Sequence, residues 1–225
     1  MKNLGKKIKI AKSIIRRTFK LFPPDKTVVA WTGGKDSTVL LHLIRSTFNN
    51  TVPFPIMFND STMEFSEVYR FIKKITALWK INLVVVPHSE TGLKQFYTSD
   101  SIEEQKKLSR IMKINSLDYF IKKNAVQAFF SGIRRDEHPT RSTEIYFSPR
   151  NSHMRIHPIL DFTEENIWQY INTFKVPYVS LYKKGYRSLG EKPFTQKSLP
   201  GKGERSGRDY DKENQMQKLR NMGYW

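Results

Sequence analysis

The stretch from Thr27 to Phe48 limits the fold more than any other part of the sequence. Thr27-Val28-Val29-Ala30-Trp31 is apolar and rich in β-branched residues, with no polar alternation, which is the pattern of a strand covered on both faces. Thr32-Gly33-Gly34 interrupts it, and two glycines permit a tight backbone turn. From about Asp36 to Phe48 the apolar residues Val39, Leu40, Leu41, Leu43 and Ile44 cover most of a helical surface, so this helix is expected to be sandwiched in the core. A buried strand, a Gly turn and a helix in that order open a parallel α/β unit.

The alternation continues along the chain. Strands are expected at 53–58, 83–86 and 126–131, with a further one at 155–160. Between them, helical periodicity covers 64–78 and 102–123. A helix starting after Thr163 carries a good N-cap, acidic residues Glu164 and Glu165 in its first turn, and Phe162 with Ile167 as a hydrophobic staple. It should end near Phe174, before Pro177. Residues 4–21 place Leu4, Ile8, Ala11, Ile14 and Ile15 at helical spacing among basic residues, an amphipathic helix closed by Pro23-Pro24. The prediction is an α/β fold: a mostly parallel open sheet with helices on both faces. From Tyr182 onward apolar periodicity is lost, leaving an irregular basic tail with a short closing helix at Met216 and Leu219.

Composition narrows the chemistry. The sequence has no cysteine, which removes disulfides, thiolate-ligated metals and any thiol nucleophile. No stretch reaches the ~20 apolar residues of a membrane span, and no signal peptide is legible, so a cytoplasmic protein is expected. The net charge of +18 favours polyanions, nucleotides or RNA among them, or reflects a merely solvated basic surface.

Two segments carry the candidate site. Thr32-Gly33-Gly34-Lys35-Asp36-Ser37-Thr38 lies between the first strand and its helix. The glycines let backbone approach a phosphate, and the helix N-terminal amides and dipole favour an anion there. Lys35 adds a point charge, Ser37 and Thr38 add hydroxyls, and Asp36 either caps the helix or helps hold Mg²⁺. The spacing is not that of a Walker A loop. After the strand at 126–131 comes Gly132-Ile133-Arg134-Arg135-Asp136-Glu137, where two arginines can grip phosphate or sulfate or else pair with the neighbouring acids. Arg141, Arg150 and Arg155 follow. Asp60, after the second strand, either orients a ribose or Mg²⁺ or caps a turn. His42, His153 and His157, with Trp168 and Tyr170, read as structural residues.

The Thr-Gly-Gly-Lys-Asp-Ser loop resembles the Ser-Gly-Gly-x-Asp-Ser loop of the ATP-pyrophosphatase (PP-loop) superfamily, with its adenine-nucleotide α-hydrolase-like fold. Gly132 to Glu137, Asn59-Asp60-Ser61-Thr62, Phe162 to Tyr170, and Glu204-Arg205-Ser206-Gly207-Arg208 with Asp211, Lys212 and Gly223-Tyr224-Trp225 are similar to the sulfate adenylyltransferase small subunit within the PAPS reductase-like family. That resemblance implies adenylyl transfer from ATP to sulfate, Mg²⁺ bridging the phosphates, and a GTPase large subunit as partner. It implies Lys35, Arg134 and Arg135 as catalytic residues, with Thr32, Gly33, Gly34, Asp36, Ser37, Thr38, Asp60 and Gly132 binding ATP. The breaks in periodicity divide the chain into an N-terminal helix (1–24), a nucleotide-binding domain (25–181) and a tail (182–225) covering the site or contacting a partner. Tyr182, Gly185-Tyr186-Arg187-Ser188-Leu189-Gly190 and Pro193 resemble the reductases, whose thiolate chemistry this cysteine-free chain lacks, with Glu191 and Phe194 where those cysteines typically lie. FMN adenylylation, tRNA modification by an ATP-pyrophosphatase, and a non-catalytic nucleotide- or nucleic-acid-binding module are the alternatives. The run 201–208 either closes over phosphates, engages a partner or is a solvated tail.

Overall fold

The computed structural model of the protein describes residues 2–209 and Arg220. The closing helix expected at Met216 and Leu219, and the motif residues Asp211, Lys212, Gly223, Tyr224 and Trp225, lie outside the described residues. Six strands, β1 (Thr27–Ala30), β2 (Ile56–Asp60), β3 (Leu83–Pro87), β4 (Ala128–Phe130), β5 (Phe147–Pro149) and β6 (Met154–Ile156), form one sheet in the order β3-β2-β1-β4-β6-β5. All neighbours are parallel except the β5–β6 pair at the edge. The helices are α1 (Lys2–Leu21), α2 (Lys35–Thr47), α3 (Ser66–Trp79), α4 (Glu90–Thr98), α5 (Ile102–Lys123) and α6 (Glu164–Phe174).

The central strands are apolar on both faces because both are covered. Val29, Ile56, Phe58 and Phe130 join a core with α1, α2, α3 and α6, through residues such as Ile15, Leu41, Ile72 and Ile167. Val28, Met57, Val86 and Phe129 turn to the other side and meet Leu117, Phe120 and Ile121 of α5. This period-two division is what a strand buried on both faces requires.

Four elements differ from the sequence reading, one of them β6, which ends at Ile156 rather than at residue 160 because the chain turns at 157–161. Strand β2 begins at Ile56 rather than Pro53, since neither Pro53 nor Pro55 can donate to a ladder, although the Pro55 carbonyl still accepts from Val29 N–H at 3.0 Å. Helix α4 was not foreseen; Ser89 caps it by accepting from Gly92 N–H at 3.2 Å. A Cβ at Gly92 would stand 2.6 Å from Met112 Sδ, so a larger residue there would have to displace the Met112 side chain of α5. The antiparallel edge strand β5, three residues ending in Pro149, was too short to carry a periodic signal.

The connectivity positions the site. From β1 the chain moves outward through β2 to β3, then returns to place β4 on the opposite side of β1. The crevice at the carboxyl ends of β1 and β4 is therefore a topological switch point, the usual ligand position in open α/β sheets.

Candidate active site

Both candidate segments leave the sheet at this switch point and touch each other. The β1–α2 loop is held in shape by its own hydroxyls. Trp31 Nε1–H donates to Thr38 Oγ1 at 3.0 Å, and the Thr38 and Ser37 hydroxyls donate to the Gly34 carbonyl at 2.8 and 3.0 Å. Thr32 N–H donates back to Ser37 Oγ at 3.3 Å. Gly33 takes φ +74°, in the left-handed region that favours glycine, and Gly34 is the N-cap of α2 without any side-chain cap. Across the crevice, a Cβ at Gly132 would stand 3.0 Å from the backbone N and Cα of Ser37, so the β4 loop can approach α2 this closely only as glycine.

Two buried cations converge here. Lys35, 1% exposed, donates from Nζ to the Arg187 carbonyl at 2.8 Å, to Asp36 at 3.2 Å and to Glu204 Oε1. Arg134, fully buried, donates from Nε to Asp36 at 2.7 Å, from Nη1 to Asp136 at 2.5 Å and from Nη2 to Glu204 Oε2 at 2.5 Å. The Glu204 carboxylate thus bridges Lys35 and Arg134 with one oxygen on each. Burial opposes the Lys35 charge, but Asp36, Tyr182 and Glu204 outweigh it and hold its pKa above the ordinary value. Arg134 is likewise held charged against burial by Asp36, Glu137 and Glu204. Burial, with Asp36 beside it, pushes the Glu204 carboxyl above the usual range against the pull of Lys35 and Arg134.

The neighbouring Glu137 is gripped by Arg141, with Arg205 at 3.5 Å. Burial would raise its pKa, yet Arg141, Arg205 and Arg134 hold it at about 2. Asp36, Glu137 and Glu204 bring carboxylate oxygens within 4.8 Å of one another.

A cavity of about 220 Å³ opens beside the loop. Its sheet wall is Ala30, Met57, Phe58 and Phe129, and Thr32, Gly34, Asp36, Ser37 and Gly132 form its phosphate-loop end. Arg141, Arg155, Arg205 and Arg208 line it as well. Arg155 is 1% exposed and lies 4.2 Å over the Phe129 ring, where burial and nearby Arg150 make its charge costly.

Not every residue singled out in the sequence arrives at the crevice. Arg135 turns away: it pairs with Asp161, donates to the Glu144 carbonyl at 2.7 Å and lies over the Tyr146 ring. Asp60 accepts from Thr62 N–H at 2.8 Å and from the Tyr69 hydroxyl at 2.7 Å, the turn-capping arrangement, and its neighbour Asn59 lines the cavity instead. Arg150 serves Ser148 and Glu144. His157 is buried against the Ser131 hydroxyl at 2.9 Å, with burial taking its pKa down to about 3, and His153 packs edge-on to Phe129. Two residues of the site lie within family-like segments but have no individual role in the sequence reading. Tyr182 accepts from the Lys35 backbone N–H at 2.8 Å, and Glu204 reaches Lys35 across 169 positions. The sequence signals for Glu204 are its place in the Gly- and Arg-rich run 201–208 and in the Glu204-to-Arg208 segment that resembles the sulfate adenylyltransferase small subunit.

Comparison with known proteins identifies the family of the chain. A "Sulfate adenylyltransferase subunit 2" of Buchnera aphidicola subsp. Acyrthosiphon pisum (strain Tuc7) is 33% identical over 194 residues, covering 73% of this chain. This chain spans 63% of the length of that relative. A "Phosphoadenosine 5'-phosphosulfate reductase" of Photobacterium profundum is 30% identical over 173 residues, covering 75% of this chain and 67% of the relative. In fold, the phosphoadenylyl-sulfate reductase from Candida auris, solved as a phosphate complex, superposes with a TM-score of 0.70 at 21% identity, covering 83% of this chain and 90% of that one. Residues 26–197, from the start of β1 through the tail segment beyond Tyr182, match the family described as "Phosphoadenosine phosphosulfate reductase domain", and the chain belongs to that family.

Proposed function

We propose that the protein transfers the adenylyl group of ATP to a small oxyanion, sulfate in the first instance, releasing pyrophosphate. The observation that carries this reading is the seat occupied by Glu204. Two buried cations from two different loops hold one carboxylate at the uncapped N-terminus of α2, beside a cavity with an apolar sheet wall and arginines around it. A phosphate group presents the same oxygens to the same donors.

In this reading the adenine and ribose lie along Met57, Phe58 and Phe129, and the β- and γ-phosphates take the seat at Lys35 and Arg134. An acceptor oxygen forms a bond to the α-phosphorus while the bond from that phosphorus to the bridging oxygen breaks, and the electron pair leaves with pyrophosphate. Sulfate is already ionised, so no side chain need remove a proton. Lys35 and Arg134 stabilise charge on the leaving group. Arg141, Arg155, Arg205 and Arg208 line the space where a dianionic acceptor would sit, and an anion there would relieve the cost of burying Arg155. Asp36 and the nearby Glu137 offer hard oxygen donors of the kind Mg²⁺ takes once the phosphates have displaced Glu204, and the metal would neutralise phosphate charge there. Ser37 and Thr38 act by keeping the loop closed on Gly34. The cysteine-free sequence supplies no thiolate for reductive chemistry. The "subunit 2" in the name of the Buchnera relative supports a partner for this chain, a GTPase large subunit by the family resemblance.

The test is isotope exchange between pyrophosphate and ATP with Mg²⁺, run with sulfate, with FMN and with no acceptor, alone and with a GTPase large subunit. ATP binding is measured in the same preparation. Sulfate-dependent exchange supports the reading. Exchange that responds to FMN replaces sulfate as the acceptor, and absence of ATP binding overturns the reading altogether.

A further inference from the structure

Helix α1 has a feature that the adenylyl-transfer reading does not use. Eight of its residues are Lys or Arg and none is acidic; the first acidic residue of the chain is Asp25. Its apolar side is consumed by the core, where Leu4, Ala11, Ile14 and Ile15 are buried against the domain. The opposite side is exposed and reads Lys6, Lys9, Ser13, Arg16, Lys20, with Arg17 alongside. The steps of three, four, three and four residues keep these positions on one ridge of the helix. The ridge runs for about 21 Å, at 1.5 Å per residue from position 6 to position 20. Among the described residues, no carboxylate is within ion-pair distance of Lys6, Lys9, Arg16, Arg17 or Lys20, in contrast to Lys35 and Arg134.

From this we infer that the exposed ridge of α1 is a docking surface for the backbone of double-stranded DNA. The charge match is direct, since duplex DNA presents one negative charge per ~1.7 Å of axis and binds rows of Lys and Arg by releasing counterions. A membrane surface fits less well, because an interfacial helix needs a free apolar face and that of α1 is buried. A protein partner fits less well, because interface cores are depleted in Lys and built on aromatic anchors. Single strands are bound by stacking on aromatic rings, which the ridge positions do not supply. B-form DNA is favoured over duplex RNA because its major groove, about 12 Å wide, admits a helix, whereas the A-form groove is deep and narrow. The start of α1 is anchored beside the ridge: Lys7 donates to Asn166 at the start of α6 at 2.6 Å.

The test uses the full chain and a fluorescent 25-base-pair duplex of mixed sequence, with affinity measured from 50 to 200 mM salt. Five contacting cations predict a slope of log K against log salt of about −4.5, at about −0.9 per phosphate neutralised. The quadruple variant Lys6→Ala, Lys9→Ala, Arg16→Ala, Lys20→Ala should lose about 3.6 of that slope. Alanine keeps the helix, and an unchanged melting temperature and ATP affinity separate this result from misfolding or from failure of the nucleotide reading. A control removes four exposed lysines elsewhere: Lys73→Ala, Lys74→Ala, Lys107→Ala and Lys123→Ala. A slope change there of less than one supports the ridge. Equal losses in both variants would reduce the effect to net charge and overturn the inference. So would absence of duplex binding at 50 mM salt, equal or tighter binding of duplex RNA, or binding only to vesicles of anionic lipid.

Discussion

Helices α2 and α6 touch through His42 Nδ1 and the Tyr170 hydroxyl at 2.8 Å, yet they begin in opposite ways. Helix α6 is closed at its start: Thr163 accepts from Asn166 N–H at 3.2 Å while the Asn166 side chain returns to Thr163 N–H at 3.2 Å. Helix α2 starts at Gly34 with no side-chain cap, and its first residue is held by groups from the far end of the chain, Tyr182 and Glu204. One terminus is closed by a capping box of its own sequence, with Asp136 accepting from Glu164 N–H at 2.9 Å, and serves stability. The other is satisfied by long-range partners that can be exchanged for a ligand, which is the property a binding site needs.

This contrast can be broken most sharply at Lys35. Charged hydrogen bonds are worth about 1.5–3 kcal/mol, so Lys35→Ala should weaken ATP or pyrophosphate binding by about a hundredfold in calorimetric titration. Unchanged affinity would remove the loop from the site. Gly132→Ala comes next. The added carbon meets the Ser37 backbone at 3.0 Å, and overpacking of this kind costs about 1–3 kcal/mol, so nucleotide affinity should fall by about tenfold. Glu204→Gln should act in the opposite direction. It keeps the shape of the seat but removes its charge, and pyrophosphate should bind about fivefold more tightly, since charged hydrogen bonds are roughly twice as strong as neutral ones. Weaker binding would instead make Glu204 part of the ligand-bound site.

At the contact between the two helices, burial, Arg45 and Lys12 lower the His42 pKa from 6.5 to about 4. Because the folded value lies below the unfolded one, the neutral ring contributes stability above about pH 6.5, and that contribution is lost as pH falls toward 4. Urea midpoints should decline over that window, and His42→Gln should flatten part of the decline. The smallest effect on the site belongs to Thr163→Ala, which should cost about 1 kcal/mol of stability in denaturant titration and leave nucleotide affinity unchanged. A loss of affinity there would mean that the two helix starts are coupled.

The same contrast explains what the sequence revealed. Local chemistry was legible. The run Thr27 to Trp31 with Gly33 and Gly34 announced the strand, the turn and α2, and Thr163 with Glu164 announced α6. Strand order followed from alternating elements only as far as a parallel sheet; the placement of β4 on the other side of β1 depends on packing that no local pattern encodes. Lys35 and Arg134 were legible as cations near strand ends. Arg135, adjacent in sequence and identical in chemistry, could not be told from Arg134, because which of two neighbouring side chains enters the crevice depends on the turn after Ile133. Glu204 was least legible, since one carboxylate in a Lys- and Arg-rich run reads as a solvated residue until the fold brings it to Lys35. Helix α4 was missed because nine residues containing a glycine carry little periodicity.

The seating of Glu204 has a consequence for how the site responds to concentration. A carboxylate tethered to the same chain is a competitor that cannot diffuse away, and short flexible tethers give effective concentrations on the order of millimolar. Anions that match it poorly or are scarce leave the seat to Glu204, and a polyphosphate with more oxygens to offer displaces it. On the adenylyl-transfer reading the tail would act as a threshold filter, its height set in part by contacts outside the cavity, such as Ser198 Oγ donating to the Glu204 carbonyl at 3.1 Å. Substitutions in residues 198–208, or any partner that draws this segment aside, would retune the threshold while leaving the phosphate loop unaltered.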